Sequence, residues 1–306
     1  MKYYSYFPGC SSSEGTAVAY GLSTQAIASA LGMELIELED WNCCGSTPYG
    51  STEELEAVCV AARDLALAEK TGLDLVTPCS SCYTTLNKVN SQLKEYPDLK
   101  AKVDECLAAA GLKYQGEVKV RHLFEVIYND IGLDVVKSKV VNPLRGLRVA
   151  PYYGCQLVRP EPGFDNPWNP QSIDHLIVTL GAEPVPYPLK DRCCGGSLVI
   201  PELDLALGLI HKLLESAASN GAQCIVTVCP LCQTNLDAYQ DMVNRKFRTK
   251  YNLPVLFFTQ LIGLALGVEP KALALDKAIV SAEAVLSPYT KVAEPAVQTR
   301  GGVTYG

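Results

Sequence analysis

Ten cysteines fall into one pattern that occurs twice: Cys10, Cys43-Cys44, Cys79 and Cys82, then Cys155, Cys193-Cys194, Cys229 and Cys232. The gaps are 32, 34 and 2 residues in the first copy and 37, 34 and 2 in the second. A period of about 150 residues is long enough for each copy to enclose a core of its own, so the repeat is a duplicated domain and not a short-period solenoid. Flanking residues repeat as well. Leu31-Gly32-Met33-Glu34 matches Leu180-Gly181-Ala182-Glu183, and Thr71-Gly72 matches Asn220-Gly221. The expected organisation is a first domain over 1–144 and a second over 145–306, related by a pseudo-twofold, with a flexible tail from Val297 to Gly306.

Each cysteine group stands where a strand hands over to a loop or a helix. Lys2 to Phe7 alternates aromatic and polar residues into Pro8-Gly9-Cys10, which predicts a strand delivering Cys10 to a turn. Helices are predicted over Ser12 to Leu31 and Glu53 to Thr71, each stopped by glycine, with strands at Glu34 to Glu39 and Leu73 to Val76 between and after them. Lys88 to Leu107 and Val118 to Ile131 read as helical, and Gly132 to Leu144 as a link between the halves. This β-α-β-α-β alternation predicts an α/β fold of two repeats, each a small parallel sheet covered by helices. Ligands of such sheets gather at the strand carboxyl ends, where the cysteines lie. Between Pro160 and Pro170 the second copy inserts the loop Glu161 to Asn169, read as a surface loop or as a lid or partner contact.

The chain has 306 residues, 48% of them hydrophobic and 19% charged, which suits about two globular domains. A net charge of -7 without a basic cluster favours neither nucleic acid nor an anionic membrane as partner. No segment reaches the 18 or so uncharged apolar residues of a membrane span, and the N-terminus lacks the apolar run of a secretory signal, so a cytosolic protein is expected. In a reducing compartment, thirteen cysteines are metal ligands before they are disulfides.

Adjacent cysteines such as Cys43 and Cys44 are poor disulfide partners, because the bond strains the backbone between them. A structural zinc site closes with four ligands and would leave one cysteine over in each copy, whereas five thiolates suit an iron-sulfur cluster opened or expanded beyond the four-cysteine cubane. Zinc in one repeat stays open as an alternative. Gly45, Gly195 and Gly196 let the backbone approach closely and offer N–H groups to cluster sulfides. Cys59, Cys106 and Cys224 have no counterparts in the repeat and read as buried small hydrophobes, while His122, His175 and His211 sit on segments read as helical, without metal-ligand spacing.

These residues resemble the duplicated cysteine-rich CCG domain found in the B subunit of heterodisulfide reductase. The resemblance covers nearly the whole chain, including Phe257 to Gly267, and holds at every motif cysteine. It implies one non-cubane [4Fe-4S] cluster per repeat, the two facing each other across a substrate site. It also implies a ferredoxin-like partner of the C-subunit type, a flavin-containing partner of the A-subunit type, and a disulfide or thiol as substrate. In methanogens that substrate is the heterodisulfide of coenzyme M and coenzyme B. Methanogenic members tend to carry histidine directly after the cysteine matching Cys155, where this chain has Gln156, which leans toward the branch serving bacterial sulfur metabolism.

The function expected is therefore that of an iron-sulfur component reducing a disulfide, or oxidising thiols in reverse, between two clusters. A second reading is an electron-relay or anchoring CCG component of a succinate:quinone reductase-like or lactate- or glycolate-oxidising complex, and a third is a zinc-stabilised scaffold. Gln156, Arg159, Lys190 and Arg192 neighbour the motifs and are weak candidates for substrate contact, with surface charge or an intersubunit contact as the plainer alternative.

Overall fold

The computed structural model describes residues 1–46, 48–158 and 163–290. Two four-stranded parallel sheets carry the chain, ordered β2-β1-β3-β4 and β6-β5-β7-β8. The strands are β1 (Lys2–Tyr6), β2 (Met33–Glu37), β3 (Leu75–Thr77), β4 (Val120–His122), β5 (Arg148–Tyr152), β6 (Glu183–Pro184), β7 (Cys224–Thr227) and β8 (Val255–Phe257). β3 and β7 are buried along their whole length, as inner strands of a sheet covered on both faces are. In each sheet the chain winds outward in opposite directions from the central pair, β1 beside β3 and β5 beside β7. That pair forms a topological switch point, with a crevice at its carboxyl ends.

The structure has four strands per repeat where three were expected. The segment from Val118 to Ile131, read as one helix, opens instead with strand β4 and turns helical only at Leu123. Val120, Arg121 and His122 are all buried against β3, and this long-range pairing overrides the local helical pattern. His122 therefore ends a strand and does not sit on a helix. The predicted helix over Ser12 to Leu31 is two pieces, Cys10–Ser13 and Val18–Ala28. The helical reading from Lys88 to Leu107 is broken at Tyr96, because Pro97 starts a new helix after Ser80–Glu95. The expected link after Gly132 contains the helix Leu133–Ser138.

Three apolar cores form among the described residues. One lies within the first repeat around Leu65, Leu86 and Tyr114, and one within the second around Ile210, Leu236 and Val255. The largest belongs to both, joining Tyr20, Ile27 and Phe124 with Val149, Ile177, Phe258 and Leu261. At its centre Tyr20 stacks on Phe257 at 4.1 Å between centroids, and Phe124 meets Phe258 edge-on at 5.0 Å. The hydroxyls of Ser23 and Thr259 hydrogen-bond across the same seam at 2.6 Å. In the inserted loop, Phe164 packs on Phe124 while Trp168 is left 90% exposed. Arg159 to Pro162 and the tail from Val297 to Gly306 lie outside the described residues.

Candidate functional site

The switch points turn toward each other, and the ten motif thiols meet there. In the second repeat Cys155 hydrogen-bonds Cys193, Cys193 bonds Cys194, Cys194 lies 3.6 Å from Cys232, and Cys232 bonds Cys229. In the first repeat Cys43 bonds Cys44, Cys44 lies 3.2 Å from Cys82, and Cys82 bonds Cys79, with Cys10 a close electrostatic neighbour of Cys43. Cys79 and Cys229 then hydrogen-bond each other. Two files of five sulfurs thus join end to end across the repeat boundary.

Burial is graded along each file. Cys44, Cys79 and Cys82, like Cys194, Cys229 and Cys232, are buried, whereas Cys10, Cys43 and Cys193 are exposed and Cys155 is half-buried. Hydrogen bonds from Cys43 and Cys82 bring the Cys44 thiol down to about 4 while Cys43 is pushed up. Those from Cys232 and Cys79 hold Cys229 well below the usual thiol range. In each nest one thiol is thus biased toward the thiolate, the form in which sulfur binds metal.

The backbone is shaped to the sulfurs. Gly9 and Gly154, each preceding the first cysteine of its copy, take φ of +72° and +63°. A Cβ there would stand 3.1 Å from Cys82 Sγ and 3.0 Å from Cys232 Sγ respectively. The loop glycines are also left-handed, with φ of +77° at Gly45, +93° at Gly195 and +51° at Gly196. Gly196 N donates to Cys194 Sγ at 3.4 Å. Two buried oxygens beside the second nest, Thr227 Oγ1 and Asn235 Oδ1, have no hydrogen-bond partner. Among the described residues no three His, Cys, Asp or Glu side chains converge on a single metal-ion position. An elongated file of five thiols fits a multi-iron, sulfide-bridged group better than one tetrahedral ion.

Side chains without sulfur fix the nests. His122, fully buried, accepts from Phe124 N through Nδ1 at 3.1 Å. That leaves Nε2 to face Ser80 Oγ and the carbonyls of Pro78 and Val228, the residues before Cys79 and Cys229. Burial lowers the imidazole to about 4, so a neutral ring ties the two C-x2-C turns together. Asp64, also buried, accepts from Asn42 N at 2.9 Å and from its side-chain amide, pinning the loop before Cys43. Burial raises its carboxyl to about 7. Sequence reasoning missed both residues. His122 was hidden by an apolar helical pattern, and Asp64 lies mid-helix without any local signal.

Of the proposed substrate contacts, Gln156 is exposed, and its carbonyl accepts from Thr84 Oγ1 of the first repeat at 3.0 Å. Lys190 is occupied by Asp174 at 3.0 Å and lies over the Tyr153 ring. Arg192 is exposed beside Asp191, and Arg159 lies outside the described residues. A cavity of about 530 Å³ opens on the first repeat beside its CCG loop, lined by Gly45, Ser46, Thr84 and Lys88, with Ser197 of the second repeat at its edge. The cysteines outside the motif depart from expectation in part: Cys224 is buried, but Cys106 is exposed and Cys59 only half-buried, because their helices pack at the surface of the first repeat.

The cysteine-rich CCG domain model matches residues 4–87 and 149–237. The chain is 37% identical to the 8-methylmenaquinol:fumarate reductase membrane anchor subunit of Wolinella succinogenes, over 92% of this chain and 98% of that one. It is 34% identical to the B subunit of the ferredoxin/F(420)H(2)-dependent CoB-CoM heterodisulfide reductase of Methanosarcina acetivorans, over 83% and 86%. A protein of Archaeoglobus profundus described as like the B subunit of heterodisulfide reductase is also 34% identical, over 90% and 94%. A solved hypothetical protein from Helicobacter pylori shares the fold, with a TM-score of 0.73 at 15% identity over 92% of this chain, which spans 52% of that protein's length. No helix of the described residues is long and apolar enough to cross a membrane. With two matched domains and relatives aligned over most of its length, the chain belongs to the cysteine-rich CCG family that includes the B subunit of heterodisulfide reductase.

Proposed function

We propose that this chain is the iron-sulfur subunit of a heterodisulfide reductase-like complex, reducing a disulfide or oxidising two thiols between paired non-cubane [4Fe-4S] clusters. The observation that carries this reading is the contact between Cys79 and Cys229, which joins the two five-thiol files into one. Cys10, Cys43, Cys44, Cys79 and Cys82 would hold one cluster, and Cys155, Cys193, Cys194, Cys229 and Cys232 the other. Gly45, Gly195 and Gly196 bring backbone N–H groups to them. Splitting a disulfide takes two electrons and two protons, and a pair of clusters when bound supplies the electrons one at a time.

The chain's own residues set the stage. The shared core and neutral His122 hold the two C-x2-C turns in contact, while the cavity at Gly45, Ser46 and Ser197 brings a ligand to both CCG loops. Lys88 is the cation on that wall, and Glu54 also lines it. Electrons would come from a ferredoxin-like partner and a flavin-containing one in a reducing compartment, with the repeats divided near residue 144.

Identity to a fumarate reductase anchor supports a second reading, an electron-relay or anchoring subunit that turns over no disulfide. Anaerobic purification with iron and acid-labile sulfide counting, followed by electron paramagnetic resonance (EPR) with and without a disulfide, decides between them. Two iron-sulfur centres whose signals change with the disulfide are expected. Centres indifferent to every disulfide and thiol would favour the relay, and zinc in place of iron would end both readings.

A further inference from the structure

The two nests differ in the hydrogen-bond donors offered to Cys194 and to Cys44. Asn235 follows Cys232 by three residues on the helix Pro230–Ala238 and is fully buried. Its Nδ2 donates to Gly196 O at 2.9 Å and to Cys194 O at 3.2 Å, and reaches Cys194 Sγ at 3.6 Å. Gly196 N is a second donor to the same sulfur, at 3.4 Å. Turning the amide over would aim its oxygen at two carbonyls, so this orientation is fixed by its surroundings. The orphaned Oδ1 has no partner, leaving the CCG loop as the carboxamide's sole hydrogen-bonded contact among the described residues.

The matching position in the first repeat, three residues after Cys82, is Thr85, half-buried on the cavity wall. Among the described residues no side-chain amide donates to Cys44 Sγ, which takes its backbone donor from Ser46. A hydrogen bond donated to a ligand sulfur stabilises the reduced, more negative centre.

We propose that Asn235 is a positioning residue that sets the reduction potential of the second repeat's centre above that of the first, giving the pair a built-in electron direction. This rests on the iron-sulfur reading above. An electron received by the first repeat then passes to the second, where the Cys79–Cys229 contact makes the junction.

The test is a potentiometric titration of the intact anaerobic protein followed by EPR, after iron and sulfide have been counted. Two separate midpoints are expected, and Cys193→Ser should leave only the lower one. Asn235→Ala should shift the upper midpoint downward and leave the lower in place, and Asn235→Asp, which keeps the shape but loses the donors, should shift it further. If Asn235→Ala fails to hold iron, Asn235→Asp carries the comparison, and an upper midpoint that it leaves in place overturns the proposal. A single shared midpoint in fully loaded protein, or Cys193→Ser leaving the upper signal, overturns the proposal while the iron-sulfur reading stands. Wild-type protein without iron overturns both.

Discussion

Cys79 and Cys229, each the first cysteine of its C-x2-C turn, hydrogen-bond to one another across the boundary between the repeats, and both are buried. Cys10 stands at the opposite, exposed end of its file. Replacing Cys79 or Cys229 by serine should therefore alter the EPR signals of both centres, whereas Cys10→Ser should alter one. Magnetic splitting in the reduced wild-type protein should vanish when either repeat is emptied. Strictly local effects from all three variants would argue against a joined pair.

Gly154 is closed to any side chain. Alanine there would strain a backbone at φ +63° and put its Cβ 3.0 Å from Cys232 Sγ. The left-handed backbone alone costs on the order of 1–2 kcal/mol. Gly154→Ala should lower the iron content by about half by emptying the second nest, and Gly9→Ala should do the same to the first. Iron analysis of each purified variant, beside a thermal melt, reads both effects.

Two buried groups give opposite pH slopes to stability. Asp64 rises from 3.8 to about 7 in the fold, so the folded state binds the extra proton and stability falls as pH climbs from about 4 to 7. His122 drops from 6.5 to about 4, so the unfolded state binds the extra proton and stability falls as pH drops from 6.5 toward 4. Each shift corresponds to roughly 3–4 kcal/mol. In the metal-free protein the two should nearly cancel between pH 4 and 6.5. Asp64→Asn should unmask a rise in stability with pH across that window and His122→Phe a fall, as measured by urea unfolding. Parallel slopes for the two variants would contradict the assignment.

Arg121 is a buried hub. Its guanidinium meets Asp130 at 2.6 Å, Glu125 at 2.9 Å and Asp74 at 3.5 Å, with its side chain only 6% exposed. Asp130 also accepts from the Tyr4 hydroxyl, so the network ties β1 to the end of the first repeat. Removing the cation strands several carboxylates, and Arg121→Met should cost on the order of 3–5 kcal/mol in chemical denaturation. Arg121→Lys should recover a part of that loss, since an ammonium cannot serve three acceptors with the fork of a guanidinium.

The sequence made the sulfur files legible because their information is local: a spacing, a glycine and a strand end repeat twice over. The α/β class and two parallel sheets followed from the same alternation. What stayed hidden depends on distance. β4 and β8 are three-residue strands, recognisable only by the neighbours they pair with, and the apolar run behind each looks helical because a helix does follow. Asn235 was within reach, since three residues beyond Cys232 lies on the same helical face. The pairing of Cys79 with Cys229 was not, because nothing in either half encodes the approach of the other.

The central apolar layer, drawn from Tyr20, Phe124, Val149 and Phe258 alike, has an assembly consequence. A polypeptide released after its first half would present that layer to water and lack the partner of Cys79. Neither half therefore buries its apolar face alone, and the tandem arrangement supplies each repeat with its packing partner on the same molecule.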